Sequence, residues 1–179
     1  MFLYYACVSR NGVLGMSIED VEAIKRLKYR YIRTLDQHDW DAYADCFTVD
    51  ATASFSSEAS AEALVFQGRD ALVRGISDSM DNPLKVSMHQ VHHPEVELDD
   101  VSYARGRWYL QDQVFCEEQK WMLNGTAFYQ DEYRCVDGRW LISHTGYERV
   151  FEYVSALPKG FRLITLSKKI KAVGKSQPS

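Results

Sequence analysis

The sequence predicts an α+β fold in which three N-terminal helices cover one curved, mostly antiparallel sheet shaped as a cone. Three observations predict it. Apolar residues recur at helical spacing before residue 83, and they alternate with polar residues at a spacing of two after it. The connections between the alternating segments are short and rich in Asp and Gly, as in antiparallel hairpins. The mouth of such a cone is a natural ligand site.

Helical spacing predicts the three helices one after another. Their expected ranges are 18–36, 40–47 and 68–81. Ser17 resembles an N-cap of the first helix, and Pro83 stops the third because proline cannot continue a helix. A short strand is expected over 50–55. The polar stretch 56–63 is either a loop or one arm of a hairpin.

Alternation predicts four long strands after the helices. Their expected ranges are 85–98, 102–117, 121–136 and 139–152. Asp99-Asp100 and the segment 136–138 have turn chemistry. Asn124-Gly125 is also a strong turn signal, so the third of these strands starts either at residue 121 or only after Gly125.

Length and composition indicate one globular domain. We expect an extension over 1–16, a domain over 17–153 and a basic tail over 154–179 of the 179-residue chain. The net charge of −4 argues against a nucleic-acid partner, and no apolar run is long enough to cross a membrane. The four cysteines lack CxxC spacing, which favours reduced thiols and a cytoplasmic setting.

Asp112 is the most informative residue for function. From Ala104 to Cys116 the apolar residues occupy alternate positions, and Asp112 falls in that apolar set. A carboxylate on the core face is costly unless it is paired, hydrogen-bonded or beside a polar cavity. The strand is therefore expected to line a pocket that holds chemistry or a polar ligand.

Histidines cluster in the first long strand. His89 and His92 lie on opposite faces of a regular strand, so they do not converge on one metal ion, and no metal site is expected. Alternation with Val86, Met88, Val96 and Leu98 favours His92 as the inward residue. Pro94 indicates a bulge that would reverse the faces after it.

Three further residues have both a structural and a functional interpretation. Asp36 is either a polar residue of an interhelix turn or a side chain that reaches the cavity from the end of the first helix. Tyr31 lies within the apolar arc of that helix and is either a core tyrosine or a cavity donor. Arg149 on the last strand is either a surface residue or part of the site.

The chain resembles the SnoaL-like branch of the nuclear transport factor 2-like superfamily over about residues 17–153. Three stretches carry the likeness: YIRTLDQHDWDAYADCF from Tyr31, MHQVHHP from Met88, and GTAFYQDEYRCVDGRW from Gly125. Within that branch it is most similar to the scytalone dehydratase and bile-acid 7-alpha-dehydratase group. Hexachlorocyclohexane dehydrochlorinase is a more distant relative.

The resemblance implies a catalytic set at matching positions. The dehydratases use an aspartate at the end of the first helix and a histidine on the first long strand, which match Asp36 and His89. The bile-acid enzymes also have a tyrosine and an acidic residue that match Tyr31 and Asp112. By this likeness His89, rather than His92, faces inward.

The expected substrate contacts are Arg149, Phe55, Trp108 and Tyr129. Arg149 matches an arginine near the last strand of the dehydratases. Phe55 stands near the position at which scytalone dehydratase has a substrate-polarising tyrosine, which argues against scytalone as the substrate. Tyr31 stands where the dehydrochlorinase has a lysine, which weakens the case for chloride as leaving group.

The resemblance and the buried acid together predict a dehydratase or isomerase that acts on a hydrophobic cyclic substrate such as a steroid or polyketide. His89 would remove a proton beside a carbonyl, Asp36 would orient the imidazole, and Tyr31 would donate to the developing enolate. Asp112 would protonate or bind a hydroxyl group of the substrate. No metal or organic cofactor is expected, and relatives suggest a homo-oligomer, with a trimer favoured over a dimer.

Two alternatives stay open at this point. One is a non-catalytic module that binds a small ligand or associates with a partner, since this fold serves both purposes. In that case Asp112 and His89 form a structural buried pair. The other is epoxide hydrolysis, which needs an aspartate–arginine–aspartate relay. Asp112 suits such a relay, but the sequence does not identify its partner arginine.

Overall fold

The computed structural model describes residues 17–56, 62–82 and 84–164. The helices and strands of these residues follow in chain order: α1 (Ile18–Gln37), α2 (Trp40–Ala44), β1 (Phe47–Phe55), β2 (Leu64–Gln67), α3 (Arg69–Met80), β3 (Lys85–Leu98), β4 (Tyr103–Cys116), β5 (Trp121–Val136) and β6 (Arg139–Ala156). The predicted α+β class is confirmed. The extension over 1–16, with Cys7, lies outside the described residues, as do Pro83 and the tail after residue 164.

The strands that the structure describes form one six-stranded sheet in the order β2-β1-β6-β5-β4-β3. Neighbouring strands are antiparallel except β1 and β6, which are parallel. Helix α1 packs on β3 and β6, and α3 packs on β1 and β2. The helices therefore cover one face of the curved sheet, and the core lies between them.

Helix α1 supplies the apolar stripe that covers the sheet. Its buried side chains recur at helical spacing: Ile24, Leu27, Lys28, Tyr31, Ile32, Thr34 and Leu35. The helix ends because His38 adopts φ 57°, and its N–H donates to the carbonyl groups of Leu35 and Thr34. Ser17 occupies the N-cap position, as predicted, although its hydroxyl donates to Glu19 rather than accepting from a backbone N–H.

The second helix is shorter than its apolar spacing predicts. It ends at Ala44, and Phe47 begins β1 instead of closing the helix. Phe47 is buried against the rings of Tyr31 and Tyr43 and pairs with Ile142 of β6. Pairing with a strand distant in the sequence thus outweighs the local helical pattern. Strand β2 begins directly after the stretch 56–63 and pairs with β1. Residues 57–61 of that stretch lie outside the described residues, so the choice between loop and hairpin arm stays open there.

Of the two starts left open for the third long strand, residue 121 is the correct one, and Asn124-Gly125 is not a turn. Both residues lie inside β5 and pair with Gln113 and Asp112 of β4. The glycine has another cause: a Cβ at position 125 would lie 2.5 Å from Nη1 of Arg149. Gly125 therefore allows a close approach of the Arg149 side chain.

Two further findings bear on the setting of the protein. Among the described residues, no helix combines the length and low polarity that crossing a bilayer requires. Cys46 and Cys116 are buried free thiols, and Cys135 is partly buried. The structural interpretation of Cys46 and Cys116 agrees with their positions.

Candidate functional site

Asp36 and His89 meet where the end of α1 lies over β3. The Asp36 Oδ1 atom is 2.6 Å from His89 Nδ1, and Asp36 Oδ2 accepts the backbone N–H of His89 at 2.9 Å. The Ser87 hydroxyl donates to Oδ1 at 2.7 Å. Three donors therefore fix the Asp36 carboxylate, so it is a built contact and not a solvated residue of an interhelix turn.

The contact with Asp36 decides which nitrogen of His89 carries the proton. A carboxylate only accepts hydrogen bonds, so Nδ1 is the protonated nitrogen of the neutral imidazole. Its Nε2 then has an available lone pair and no hydrogen-bond partner among the described residues. The His89 side chain is 11% exposed and that of Asp36 is 23% exposed, which leaves the pair within reach of a ligand. Such a pair suits general-base chemistry.

The alternation that favoured His92 as the inward residue is misleading. His92 is exposed, whereas His89 contacts Asp36 beneath α1. A bulge lies between His92 and Glu95, where His93 adopts φ 51°. The bulge places Val96 and Leu98 in phase with His89 rather than with His92. The bulge predicted from Pro94 is thus confirmed, and it explains the error.

Four residues on neighbouring strands form one row across the inner face of the sheet, and we call them the inner row. His89 of β3 is opposite Asp112 of β4, Asp112 is opposite Gly125 of β5, and Gly125 is opposite Glu152 of β6. Residues directly opposite in antiparallel strands project to the same face. The inner row therefore brings the base and two acids to one face.

Asp112 is inside, as predicted, and its partner is Arg149. Its side chain is 3% exposed and accepts two hydrogen bonds, from Nη1 at 2.5 Å and Nη2 at 2.8 Å. Arg149 Nε also lies 3.1 Å from Glu152 Oε2. Burial opposes the charge of Arg149, but Asp112 and Glu152 outweigh that effect and raise its pKa above the usual value. The interpretation of Arg149 as a surface residue is therefore wrong.

The other predicted site residues are buried aromatic side chains. The hydroxyl groups of Tyr31 and Tyr129 are 3.4 Å apart, and both side chains are almost fully buried. Phe55 packs on Tyr147 with ring centroids 5.1 Å apart. The Trp108 Nε1–H donates to the Tyr133 hydroxyl at 2.9 Å. Phe55 and Tyr129 both pack on Tyr147, and the three rings form an aromatic wall that reaches Arg149.

A second buried ion pair escaped the sequence analysis. Lys28 of α1 places Nζ 2.7 Å from Asp131 Oδ2, and both side chains are 0% exposed. Asp131 also accepts from Tyr133 and Thr145, each at 2.7 Å. The ammonium lies 3.4 Å from the centroid of the Tyr129 ring. Burial lowers the pKa of Lys28, and the Asp131 carboxylate opposes that shift.

A signal for this pair was present in the sequence. Lys28 lies inside the apolar arc of α1, and Asp131 alternates with Tyr129 and Tyr133, as Asp112 does with its apolar neighbours. Glu152 had no such signal. A bulge opposite Thr126 places Arg149 and Glu152 on the same face, although they are three residues apart.

The buried tyrosines predict a loss of stability at alkaline pH. Burial raises the pKa of Tyr31, Tyr43, Tyr129 and Tyr133 in the folded protein. Above pH ~10 the unfolded chain loses phenol protons that the folded protein keeps, at about 1.4 kcal/mol per pH unit for each tyrosine. The stabilisation is complete below that pH and declines as pH rises. The lowered pKa of Lys28 has the opposite effect, because it makes the free energy of unfolding rise with pH, but only up to pH ~10.4.

Urea unfolding at pH 8 to 11.5 measures this loss. The free energy of unfolding should fall steeply above pH ~10.5. Tyr43→Phe should remove one tyrosine's share of the slope, because its hydroxyl is fully buried. Tyr29→Phe, at an exposed tyrosine of α1, is the matched control. Equal slopes in all three proteins would contradict the assignment.

The comparison with known proteins now decides the family. The SnoaL-like domain model matches residues 16–146. The chain belongs to the SnoaL-like domain family. The match covers all of α1 to β5, whereas Arg149 and Glu152 lie after it. The domain end expected at residue 153 stays a prediction.

Solved structures with the same SnoaL-like architecture include several from Novosphingobium. A candidate scytalone dehydratase from Novosphingobium aromaticivorans DSM 12444 has a TM-score of 0.69 at 17% identity, covering 82% of this chain and 97% of that one. Hexachlorocyclohexane dehydrochlorinase type 3 from Novosphingobium barchaimii LL02 has a TM-score of 0.67 at 16% identity, covering 83% of this chain and 96% of that one.

A protein of unknown function from Mycobacterium tuberculosis has a TM-score of 0.61 at 24% identity, covering 73% of this chain and 72% of that one. At these identities the solved structures establish the fold of this SnoaL-like domain and nothing finer. Its residues in the described ranges include no group of three or more His, Cys, Asp or Glu side chains that could hold a metal ion.

Proposed function

We propose that this protein is a lyase that removes water from a hydrophobic, cyclic β-hydroxy carbonyl compound, or an isomerase that forms the same enolate. The observation that carries the proposal is the Asp36–His89 pair, in which a carboxylate fixes the imidazole tautomer and leaves Nε2 available. Enzymes of this kind depend on a base held in position near its substrate.

The reaction balances with side chains alone. His89 Nε2 takes the proton from the carbon beside the carbonyl, and the electron pair of that C–H bond forms the enolate. The hydroxyl of Tyr31 donates to the enolate oxygen. When the carbonyl re-forms, the C–O bond to the β-hydroxyl breaks, and the imidazolium of His89 returns its proton to that oxygen. The products are water and an unsaturated carbonyl compound.

Asp112 has a different role in this scheme than proton donation. Both oxygens of Asp112 accept hydrogen bonds from the Arg149 guanidinium group, which orients the carboxylate as an acceptor. We assign the Asp112–Arg149 pair to binding the substrate hydroxyl, which was one of the two roles expected for Asp112. The aromatic wall of Phe55, Tyr129 and Tyr147 would contact the apolar rings.

A second reaction is favoured by one specific observation. Arg149 lies between two carboxylates, Asp112 and Glu152, and so supplies the partner arginine that the sequence did not identify. In a hydrolase, one carboxylate would take a proton from water while the other, in its protonated form, donates a proton to the epoxide oxygen. Water would form the new C–O bond as the epoxide C–O bond breaks, giving a diol. A proton would then pass between the two carboxylates and restore the starting state.

One substrate panel separates these functions. Cyclic β-hydroxy ketones are assayed for the ultraviolet absorbance of the enone product, and cyclic epoxides for uptake of ¹⁸O from labelled water. Enone formation supports the lyase, and ¹⁸O uptake supports the hydrolase. Binding of panel compounds in calorimetry without either product would overturn both and leave a ligand-binding module.

Association with further copies stays a prediction. Phe128, Phe151 and Tyr153 are about half exposed on the face of the sheet opposite the inner row. A homo-oligomer, with the trimer favoured, would cover this apolar surface.

A further inference from the structure

Gly125 lies where three charged side chains meet. Asp112 faces it from β4 and Glu152 faces it from β6. A Cβ at position 125 would lie 2.5 Å from Arg149 Nη1, 3.2 Å from Arg149 Cζ and 3.0 Å from Asp112 Oδ1. Contacts below 3.0 Å force a shift, so the guanidinium occupies space that any other side chain at position 125 would take.

Arg149 has a carboxylate on both edges. Asp112 accepts hydrogen bonds from Nη1 and Nη2, while Glu152 Oε2 lies 3.1 Å from Nε on the other side, in an ion-pair contact without hydrogen-bond geometry. All three side chains are at least 92% buried. The Tyr147 ring, with its centroid 4.8 Å from Cζ, covers a further side of the guanidinium. A planar guanidinium with carboxylates on two edges has little rotational freedom.

We propose that Glu152 and Gly125 are positioning residues: they fix the Arg149 guanidinium and, through it, the Asp112 carboxylate opposite His89. This inference rests on the proposed function, because it assigns them to the orientation of the group that binds the substrate hydroxyl. Without Glu152, Arg149 loses its second anchor. With a methyl group at position 125, Arg149 moves away from the sheet and Asp112 loses its bidentate partner.

The position of Arg149 is measured by NMR without a substrate. The ¹⁵N–¹H cross-peak of its Nε–H is assigned by its absence in Arg149→Lys. Because this group is buried, its proton exchanges slowly and the peak should persist above neutral pH. Gly125→Ala and Glu152→Ala should shift or broaden the peak, and Glu152→Gln, which keeps a side chain of the same length with an oxygen beside Nε, should retain it. Glu148→Gln, on an exposed position of β6, is the matched control.

Turnover of the most active panel compound then separates positioning from a merely structural role. Glu152→Ala and Gly125→Ala should each lower kcat about 10²-fold, the loss expected when a reacting group is misplaced by about 1 Å. Glu152→Gln should restore most of that loss. Each variant is compared at a temperature where circular dichroism shows it to be fully folded.

The outcomes are distinct. A wild-type protein that turns over no panel compound overturns the proposed function, and the positioning role with it. Normal kcat in folded Gly125→Ala and Glu152→Ala, with an active wild-type protein, overturns the positioning role alone. An unchanged Arg149 cross-peak in both variants also overturns it.

Discussion

Replacement of His89 by alanine is expected to lower kcat by about 10²–10⁴-fold, the usual contribution of a positioned general base. The free energy of unfolding should change little, because the His89 side chain is partly exposed and its one ring hydrogen bond within the described part of the chain is to Asp36. Initial rates of enone formation, with circular dichroism as a check on folding, measure this loss.

The chain offers a matched control on the same strand. His92→Ala removes an exposed imidazole three residues away, on the opposite face of β3, and should leave kcat unchanged. Asp36→Asn should reduce kcat as well, because an amide can donate to Nδ1 and stabilise the wrong tautomer. If His89→Ala and Asp36→Asn both kept wild-type kcat, the proposed base pair would be wrong.

Lys28→Met should be the most destabilising of the substitutions considered. It removes the cation from a fully buried ion pair and leaves the Asp131 carboxylate without its opposite charge. Breaking such a pair on one side costs about 3–5 kcal/mol. The free energy of unfolding from urea titration at pH 7 measures the loss.

An exposed ion pair made by another residue of α1 provides the comparison. Arg30 and Asp45 are 3.3 Å apart, with side chains 35% and 67% exposed, so Arg30→Met should cost less than about 1 kcal/mol. The double variant Lys28→Met/Asp131→Asn should be more stable than Lys28→Met alone, because the amide oxygen still accepts from Tyr133 and Thr145. Equal losses for Lys28→Met and Arg30→Met would disprove the role of the buried pair.

Much of the fold followed from periodicity alone. The change from helical spacing to alternation at residue 83 predicted the order of elements, and alternation predicted that Asp112 faces the core. Spacing and turn signals gave the wrong local structure where contacts with residues distant in the sequence decide it. Phe47 joins β1 because it pairs with Ile142. Gly125 lies in a strand because β5 pairs with β4 and β6 at this position, and the absence of a side chain leaves space for Arg149.

Periodicity predicted only part of the candidate site. Asp36 and His89 are 53 residues apart, and only the family resemblance linked them before the structure brought them into contact. Lys28 and Asp131 follow the same periodicity rule that identified Asp112, so their burial was predictable. Glu152 was not, because a bulge in the β5–β6 pairing changes which residues of β6 face inward.

By itself, the order of side chains determined which faces of the helices and of the regular strand segments are apolar, since that depends only on spacing along the chain. The partner of each buried charge was decided by tertiary structure, because strand register and bulges place residues that are far apart in the chain side by side. Arg149 could not be assigned to Asp112 and Glu152 until three strands were aligned.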